Sequence, residues 1–275
     1  TACVLAQIFS RNITMWNDAT IAALNPTLTL PSVPIKVVHR VKGSSSTAGF
    51  TEYMKAACPS SWTLETGSTI TWPAGTFEGQ GSDGMSTFIS SHEGAIGYID
   101  AGHGHEHKLS EIALMNLDGY NLTTKEADIG AAGQVALAQV PSIIPSDPSA
   151  NFAAVNLYNL PGAKTWPITM ISYFYVEKDL STMDAQAAAL LLAFIKMVLS
   201  AEGQMLAEGN MFVKLPQQLL DYNNATLASL TLPANYAELT FELASALWIS
   251  ARKLARRTPL LVTCHSLCPT RGHVR

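Results

Sequence analysis

The stretch Pro34–Met54, PIKVVHRVKGSSSTAGFTEYM, is the part of the chain from which the rest can be interpreted. It opens with an apolar, β-branched run that ends at Arg40, which is typical of a strand. Gly43 and a run of hydroxyl-bearing residues, 44–47, come next, and apolar residues then recur at helical spacing up to Met54. The pattern predicts a strand, a Gly/Ser turn and a helix.

The predicted turn has the features of an anion site. Ser44, Ser45 and Ser46 lie where a helix needs caps, and free backbone N–H groups and the positive end of the helix dipole face the same turn. Arg40, at the strand end, can add a bidentate charged contact. An ordinary capped helix after a buried strand would give the same local pattern, so both interpretations stay open on these residues alone.

Beyond the local pattern, Arg-x-x-Gly-Ser-x-[ST] followed by Phe-Thr-x-Tyr resembles the anion-binding turn of the phosphate-binding proteins of phosphate ABC transporters, the PstS-like family. Further pieces match the family's order: IFSRNITMWND from Ile8, IAALNP from Ile21, Leu30-Pro31, Trp72-Pro73 to Gly75, Gly81 to Gly84, GAIGY from Gly94, WPI from Trp166, Gly203-Gln204 and Leu215-Pro216. The resemblance covers about residues 4–217 and is specific in combination.

The resemblance implies an α/β fold of the periplasmic-binding-protein type, with two lobes and mostly parallel sheets. Residues 1–140 are expected to form the anion-binding lobe, 150–235 to return to a second, incomplete lobe, and 236–275 to add a C-terminal helix and a basic tail. The family carries a substantial segment before the stretch matched at Ile8. We therefore expect the first part of one lobe to be absent, so that the sequence is a fragment or another protein chain completes it.

The function implied by the resemblance is non-catalytic binding of phosphate or a similar tetrahedral oxyanion for transport, with no cofactor. Arg40, Ser44, Ser45 and Ser46 are the expected ligand contacts. The implied location is the periplasm, the extracellular space or the secretory-pathway lumen, although residues 1–10 lack the basic start of a signal peptide.

Two departures from the family pattern support an alternative function. Lys42 replaces a residue that is usually acidic, which removes an acceptor for protonated phosphate, and Ser45 replaces what is usually Gly, which crowds the approach of the backbone to a ligand. The alternative is a PstS-like module that has lost its ligand and serves as a structural or assembly subunit of a larger complex.

Composition excludes several other classes of protein. Hydrophobic residues make up 48% of the chain and charged residues 14%, so a sizeable core is expected. The net charge is −4, and six of the 17 basic residues lie in 251–275, which leaves 11 basic against 21 acidic residues before that tail. An acidic body does not suit nucleic acid. No apolar run reaches the length of a membrane span.

The cluster His103, His105 and His107 is the main alternative centre of chemistry. On a helix, His103 and His107 would share a face, which is acceptable geometry for zinc or copper, but a solvated turn is equally compatible with the pattern. A metal-dependent enzyme is therefore kept as the weakest hypothesis. There is no GxSxG, GxGxxG or P-loop, and on a strand His39 and Arg40 would point to opposite faces, which disfavours a hydrolase.

The four cysteines, Cys3, Cys58, Cys264 and Cys268, form no CxxC pair, so a zinc ribbon is not supported. A disulfide between Cys58 and a distant partner remains open. Two further expectations concern packing. Asp184–Leu199 is almost wholly apolar and should be a buried helix on a strand over Ile168–Val176, and Asn235–Leu254 should be another helix.

Overall fold

The computed structural model describes residues 1–128, 130–138, 144–209 and 212–239. They form two compact units: residues 1–176 with 201–226, and residues 177–200 with 227–239. These boundaries differ from the expected lobes, 1–140 and 150–235, which remain a prediction. Most of the predicted helix Asn235–Leu254 and the whole basic tail lie outside the described residues, and 235–239 are not helical.

The first unit is an α/β structure around a parallel sheet. Its strands are β1 (Lys36–Arg40), β2 (Phe77–Gly79), β3 (Ala95–Ile96), β4 (Leu114–Met115) and β5 (Asn121–Leu122). Its helices before residue 138 are α1 (Ala2–Phe9), α2 (Ala19–Leu24), α3 (Ser45–Ala57), α4 (Gly81–Ser91), α5 (Ala101–Glu106) and α6 (Gly130–Leu137). A 3-10 turn (Phe152–Ala154) and α8 (Ala201–Gly209) follow. The mixed α/β class with a parallel sheet, as predicted, is confirmed.

The sheet is built on β1, which lies between its two neighbours in the order β2-β1-β3. Both pairings are parallel, with Val38 opposite Phe77 and Lys36 opposite Ala95. Val37 and Val38 are fully buried, as expected for the central strand of a sheet covered on both faces. β4 and β5 form a separate antiparallel pair.

Aromatic side chains fill the core between β1 and the helices α1 and α3. The Phe50 ring lies 4.6 Å from that of Phe9 and 4.7 Å from that of Tyr98, and all three are buried. A disulfide joins Cys3 of α1 to Cys58, the residue that caps the C-terminus of α3. This pairing, left open by the sequence, ties the two helices together across 55 residues of chain.

The predicted strand Ile168–Val176 is wrong. Ile168 makes one isolated bridge to Tyr158, and the residues after it form no strand, with Phe174 61% and Tyr175 80% exposed. Alternating apolar and aromatic residues satisfy the period of a strand, but a strand forms only where a neighbour supplies ladder hydrogen bonds. Within the described part of the chain, Ile168 is the one residue of this stretch that forms a β-bridge.

In the second unit, helix α7 (Ala185–Leu199) forms where predicted, because Asp184 caps it by accepting from the N–H groups of Gln186 and Ala187. Its predicted burial is only partly right. One face is buried, while Leu190 and Phe194 are 62% and 48% exposed. Helix α9 (Gln217–Ala228), most of which belongs to the first unit, completes the described elements. Among these residues no single helix has the length and hydropathy of a membrane span; α7 and α8 reach them only when counted together.

Candidate functional site

The carboxyl ends of the three parallel strands lie at one edge of the sheet. Arg40, the last residue of β1, is in register with Gly79, the last residue of β2. Helix α3 begins five residues after Arg40, and α4 begins two residues after Gly79. Two helix N-termini, each with free N–H groups and a positive dipole end, therefore follow this edge, which is where open α/β sheets bind ligands.

Ser44 fixes the turn between β1 and α3. It is the N-cap residue, and its buried hydroxyl oxygen accepts from the Ser46 N–H at 3.1 Å. Its own N–H donates to the Ser68 carbonyl oxygen at 2.9 Å. The Ser46 amide is thus occupied by the cap, while the exposed Ser45 makes no backbone N–H bond to any described residue. The Ser44 hydroxyl proton also remains available to an acceptor.

Tyr98, two residues after β3, connects that strand to the turn. Its hydroxyl oxygen accepts from the Arg40 N–H at 3.2 Å and lies 2.7 Å from the Thr47 hydroxyl. Burial raises the pKa of Tyr98, against the opposing effects of these hydrogen bonds and of the Arg40 charge. The sequence identified Tyr98 only as the last residue of the GAIGY motif. Its contacts with the turn could not be predicted, because Arg40 and Thr47 are more than 50 positions away.

The Arg40 side chain is half-buried and makes no hydrogen bond or ion pair with any residue that the structure describes. Lys42 is exposed and equally without an acidic partner among those residues. The charge of Arg40 is therefore not neutralised within the described chain. A guanidinium at the end of a strand, beside a helix N-terminus, can contact an oxyanion with two parallel hydrogen bonds.

Asp100 brings a carboxylate to the same edge, which sequence reasoning missed. Its Oδ1 accepts from the Ser46 hydroxyl at 3.5 Å, and its Oδ2 accepts from the Ser82 hydroxyl at 3.4 Å. Asp100 is exposed, so it is free to turn toward solvent or a ligand. Only its position two residues after the GAIGY motif and before a short helix could have pointed to it.

The three candidate histidines are not brought together. His103 Nε2 lies 3.5 Å from Asp83 Oδ1 and 3.2 Å from the Ser86 hydroxyl oxygen, and its ring lies 4.4 Å from that of His107. His105 belongs to a different cluster. Its Nε2 lies 2.5 Å from Glu111 Oε1. His105 is therefore not among the residues that could bind one metal ion together with His103. The sequence-based trio is therefore replaced by Asp83, His103 and His107.

The cluster around His105 holds Glu111 in its charged form. Burial raises the pKa of Glu111, but hydrogen bonds from the Thr124 hydroxyl at 2.6 Å and the Thr124 N–H at 2.7 Å, together with His105, lower it below the ordinary value overall. These contacts link α5 to the loop after β5. The geometry describes a stabilising network, in which the His105 Nε2 faces a hydroxyl and a carboxylate.

His39 does not pair with the serine run. Its ring stacks on Trp72 with 4.9 Å between the ring centres, and its Nδ1 lies 3.1 Å from the Arg40 carbonyl oxygen. Burial lowers the pKa of His39, although the Arg40 carbonyl and the charge of Glu78 act in the opposite direction. A serine nucleophile needs a base within hydrogen-bond reach, and none of the contacts of His39 supplies that arrangement.

Comparison with known proteins identifies the family to which the chain belongs. A family model described as the PBP superfamily domain matches residues 1–202. The chain therefore belongs to the PBP superfamily. Within it, the sequence is 31% identical over 235 residues to the phosphate-binding protein PstS of Xylella fastidiosa, which covers 83% of this chain and 60% of the relative. It is 32% identical over 178 residues to PstS of Haemophilus influenzae, covering 64% of this chain and 50% of the relative.

Solved structures show the same fold. A high-affinity periplasmic phosphate-binding protein, PfluDING, superposes with a TM-score of 0.52 at 19% identity, covering 80% of this chain and 63% of that protein. The ancestral soluble variant of the human phosphate binding protein gives 0.51 at 20% identity, covering 85% and 66%. The chain spans 50–60% of the length of the two curated relatives described above.

Proposed function

We propose that this chain binds phosphate at the turn between β1 and α3, as a non-catalytic binding module. The observation that carries the proposal is the charge of Arg40, which pairs with no described residue and lies beside the capped N-terminus of α3, in a turn with the motif of the resembled family. The names of the relatives in Xylella and Haemophilus, both phosphate-binding proteins, support phosphate as the ligand.

Four groups would contact the anion. Arg40 would supply the charged contact, the Ser45 N–H a backbone donor, and Ser44 its hydroxyl proton, while the Ser46 hydroxyl would turn from Asp100 to the anion. Each charge-assisted hydrogen bond contributes about 1.5–3 kcal/mol in a protein. Because these four groups all come from one turn of the chain, we expect affinity on the order of millimolar, and much tighter binding if a second set of donors closes over the anion.

Asp100 would select for a protonated anion. Hydrogen phosphate can donate its proton to a carboxylate, whereas sulfate has none to give near neutral pH and would be repelled. Lys42 stands where the resembled family usually has an acidic residue, so Asp100, which accepts from the Ser46 hydroxyl, would act as this acceptor instead. Asp100→Asn should therefore bring phosphate and sulfate affinities closer together.

Two features support a location outside the cytosol. The Cys3–Cys58 disulfide is of the kind that persists in oxidising compartments, and PfluDING is described as periplasmic. The comparisons give no support for the alternative of a ligand-free structural subunit, nor for a partner chain that completes a lobe.

Calorimetry with phosphate tests the proposal directly. We expect Arg40→Ala to abolish measurable heat, since it removes the one charged donor. Lys55→Ala is the matched control, because it removes the same charge from the exposed last turn of α3, away from the turn. Phosphate binding that survives Arg40→Ala unchanged, or no binding by the wild type at tens of millimolar phosphate, would contradict the proposal.

A further inference from the structure

A second cluster of possible ligands lies beside the candidate anion site and has no part in the proposed function. It consists of Asp83 in the first turn of α4, His103 in α5 and His107, the residue that caps α5. One ligand atom from each of the three lies within 4.8 Å of the other two. His103 and His107 are four residues apart, so a helical turn places both imidazoles on one face.

We propose that Asp83, His103 and His107 bind a divalent transition-metal ion such as Zn²⁺. Zinc binds imidazole nitrogen and carboxylate oxygen at about 2.0–2.2 Å in tetrahedral geometry, so two of its ligand atoms are about 3.4 Å apart. The distance of 3.5 Å between His103 Nε2 and Asp83 Oδ1 already matches this separation. The other ligand atoms are up to 4.8 Å apart and would have to move closer together. A side-chain rotation of Asp83 or His107 can achieve this, because both residues are exposed.

The donor set determines the kind of ion. Two imidazoles and one carboxylate suit zinc, copper or nickel, whereas magnesium and calcium prefer oxygen ligands throughout. Three protein ligands leave a fourth position for water or a ligand. The Ser86 hydroxyl, which donates to the Asp83 carbonyl and lies 3.2 Å from His103 Nε2, would lose the latter contact when the metal binds.

Titration of Zn²⁺ alone into the whole protein, in a buffer free of phosphate, tests this site. Any free thiol at Cys264 or Cys268 is alkylated first, so that sulfur ligands do not contribute. We expect His103→Ala, His107→Ala and Asp83→Asn each to weaken one binding event by at least about tenfold, since loss even of an outer-shell partner costs 10–100-fold. His92→Ala is the control, because His92 is exposed and lies outside the cluster.

Anomalous scattering from zinc-soaked crystals of the wild type gives a second measurement that needs no variant. The expected result is an ion about 2.0–2.1 Å from nitrogens of both His103 and His107. Equal zinc affinity in all variants, or a soaked ion bound elsewhere with the cluster empty, would overturn the proposal. Because phosphate is absent from both experiments, their failure would leave the proposed anion site untouched.

Discussion

The turn after β1 and the segment after β3 leave the same edge of the sheet, and both carry candidate ligand groups, but they are held in different ways. The turn at 41–45 is held through main-chain N–H groups. The Ser46 N–H donates to the Ser44 hydroxyl, the Ser44 N–H to the Ser68 carbonyl, and the Arg40 N–H to the Tyr98 hydroxyl. The segment 101–107 is a short helix whose histidines are positioned by side chains from elsewhere, chiefly Asp83 and Glu111.

The difference shows where ligand geometry comes from. Backbone donors at a capped helix N-terminus are set by a local pattern of strand, glycine and hydroxyl residues. A side-chain cluster depends on residues that are distant in sequence. Here Asp83 contacts His103 and Glu111 contacts His105, so two histidines close in sequence lie in different environments. The turn should therefore fail when its supporting core is loosened, whereas the histidine segment should respond mainly to changes in individual side chains.

Loss of the Cys3–Cys58 disulfide should have the largest effect. The bond closes a loop of 55 residues that joins α1 to the end of α3, and the chain-entropy relation gives about 4 kcal/mol for a loop of that length. We expect reduction to lower the free energy of unfolding by that order, measured in urea with and without reductant. The double variant Cys3→Ser/Cys58→Ser is the control, and its stability should not respond to reductant. Unchanged wild-type stability on reduction would show that the bond does not support this core.

Tyr98→Phe should destabilise the turn by about 1–3 kcal/mol, because it leaves the buried Thr47 hydroxyl and the Arg40 N–H without their shared partner. Tyr53→Phe is the matched control. The Tyr53 hydroxyl is buried and has no hydrogen-bond partner among the described residues, and burial raises its pKa to about 12, so its removal should be neutral or stabilising. Thermal unfolding of both variants measures the contrast, and equal losses would refute the role given to Tyr98.

Ser44→Ala should cost about 1 kcal/mol of stability through loss of the N-cap. Ser44→Asp separates capping from ligand binding, since Asp caps as well as Ser but places a negative charge at the anion position. We expect Ser44→Asp to retain near-wild-type stability while losing phosphate binding. Phosphate bound normally by Ser44→Asp would mean that the anion does not sit at this helix end.

The smallest effect concerns His39 and pH. Burial lowers the pKa of His39 in the folded protein, so the unfolded chain binds the proton more readily as the pH falls through the ordinary value of 6.5. Stability should be full above that value and decline below it. His39→Phe, which keeps an aromatic ring against Trp72, should flatten the decline below about pH 6.5 in urea unfolding experiments. A wild-type stability that does not change across this range would contradict the burial of a neutral imidazole.

The sequence predicts features that depend on local pattern, but not those that depend on contacts between distant residues. The strand, the cap and the helix of residues 36–57 follow from local pattern, as does the capped helix after Asp184. The strand over 168–176 was wrong, because alternation does not reveal whether a partner strand exists. The role of Asp100 at the turn, and the separation of His105 from His103, depend on tertiary placement that no local pattern contains.

The most direct test of the central claim is to follow the backbone amides of the turn by NMR while phosphate is added. If the anion binds beside Arg40, the Ser45 amide should show one of the largest shifts, because its N–H lies at the helix N-terminus and makes no bond to any described residue. The same titration of Arg40→Ala should leave that resonance unmoved. Saturable phosphate shifts confined to residues away from 40–47, with Ser45 unchanged, would contradict the account.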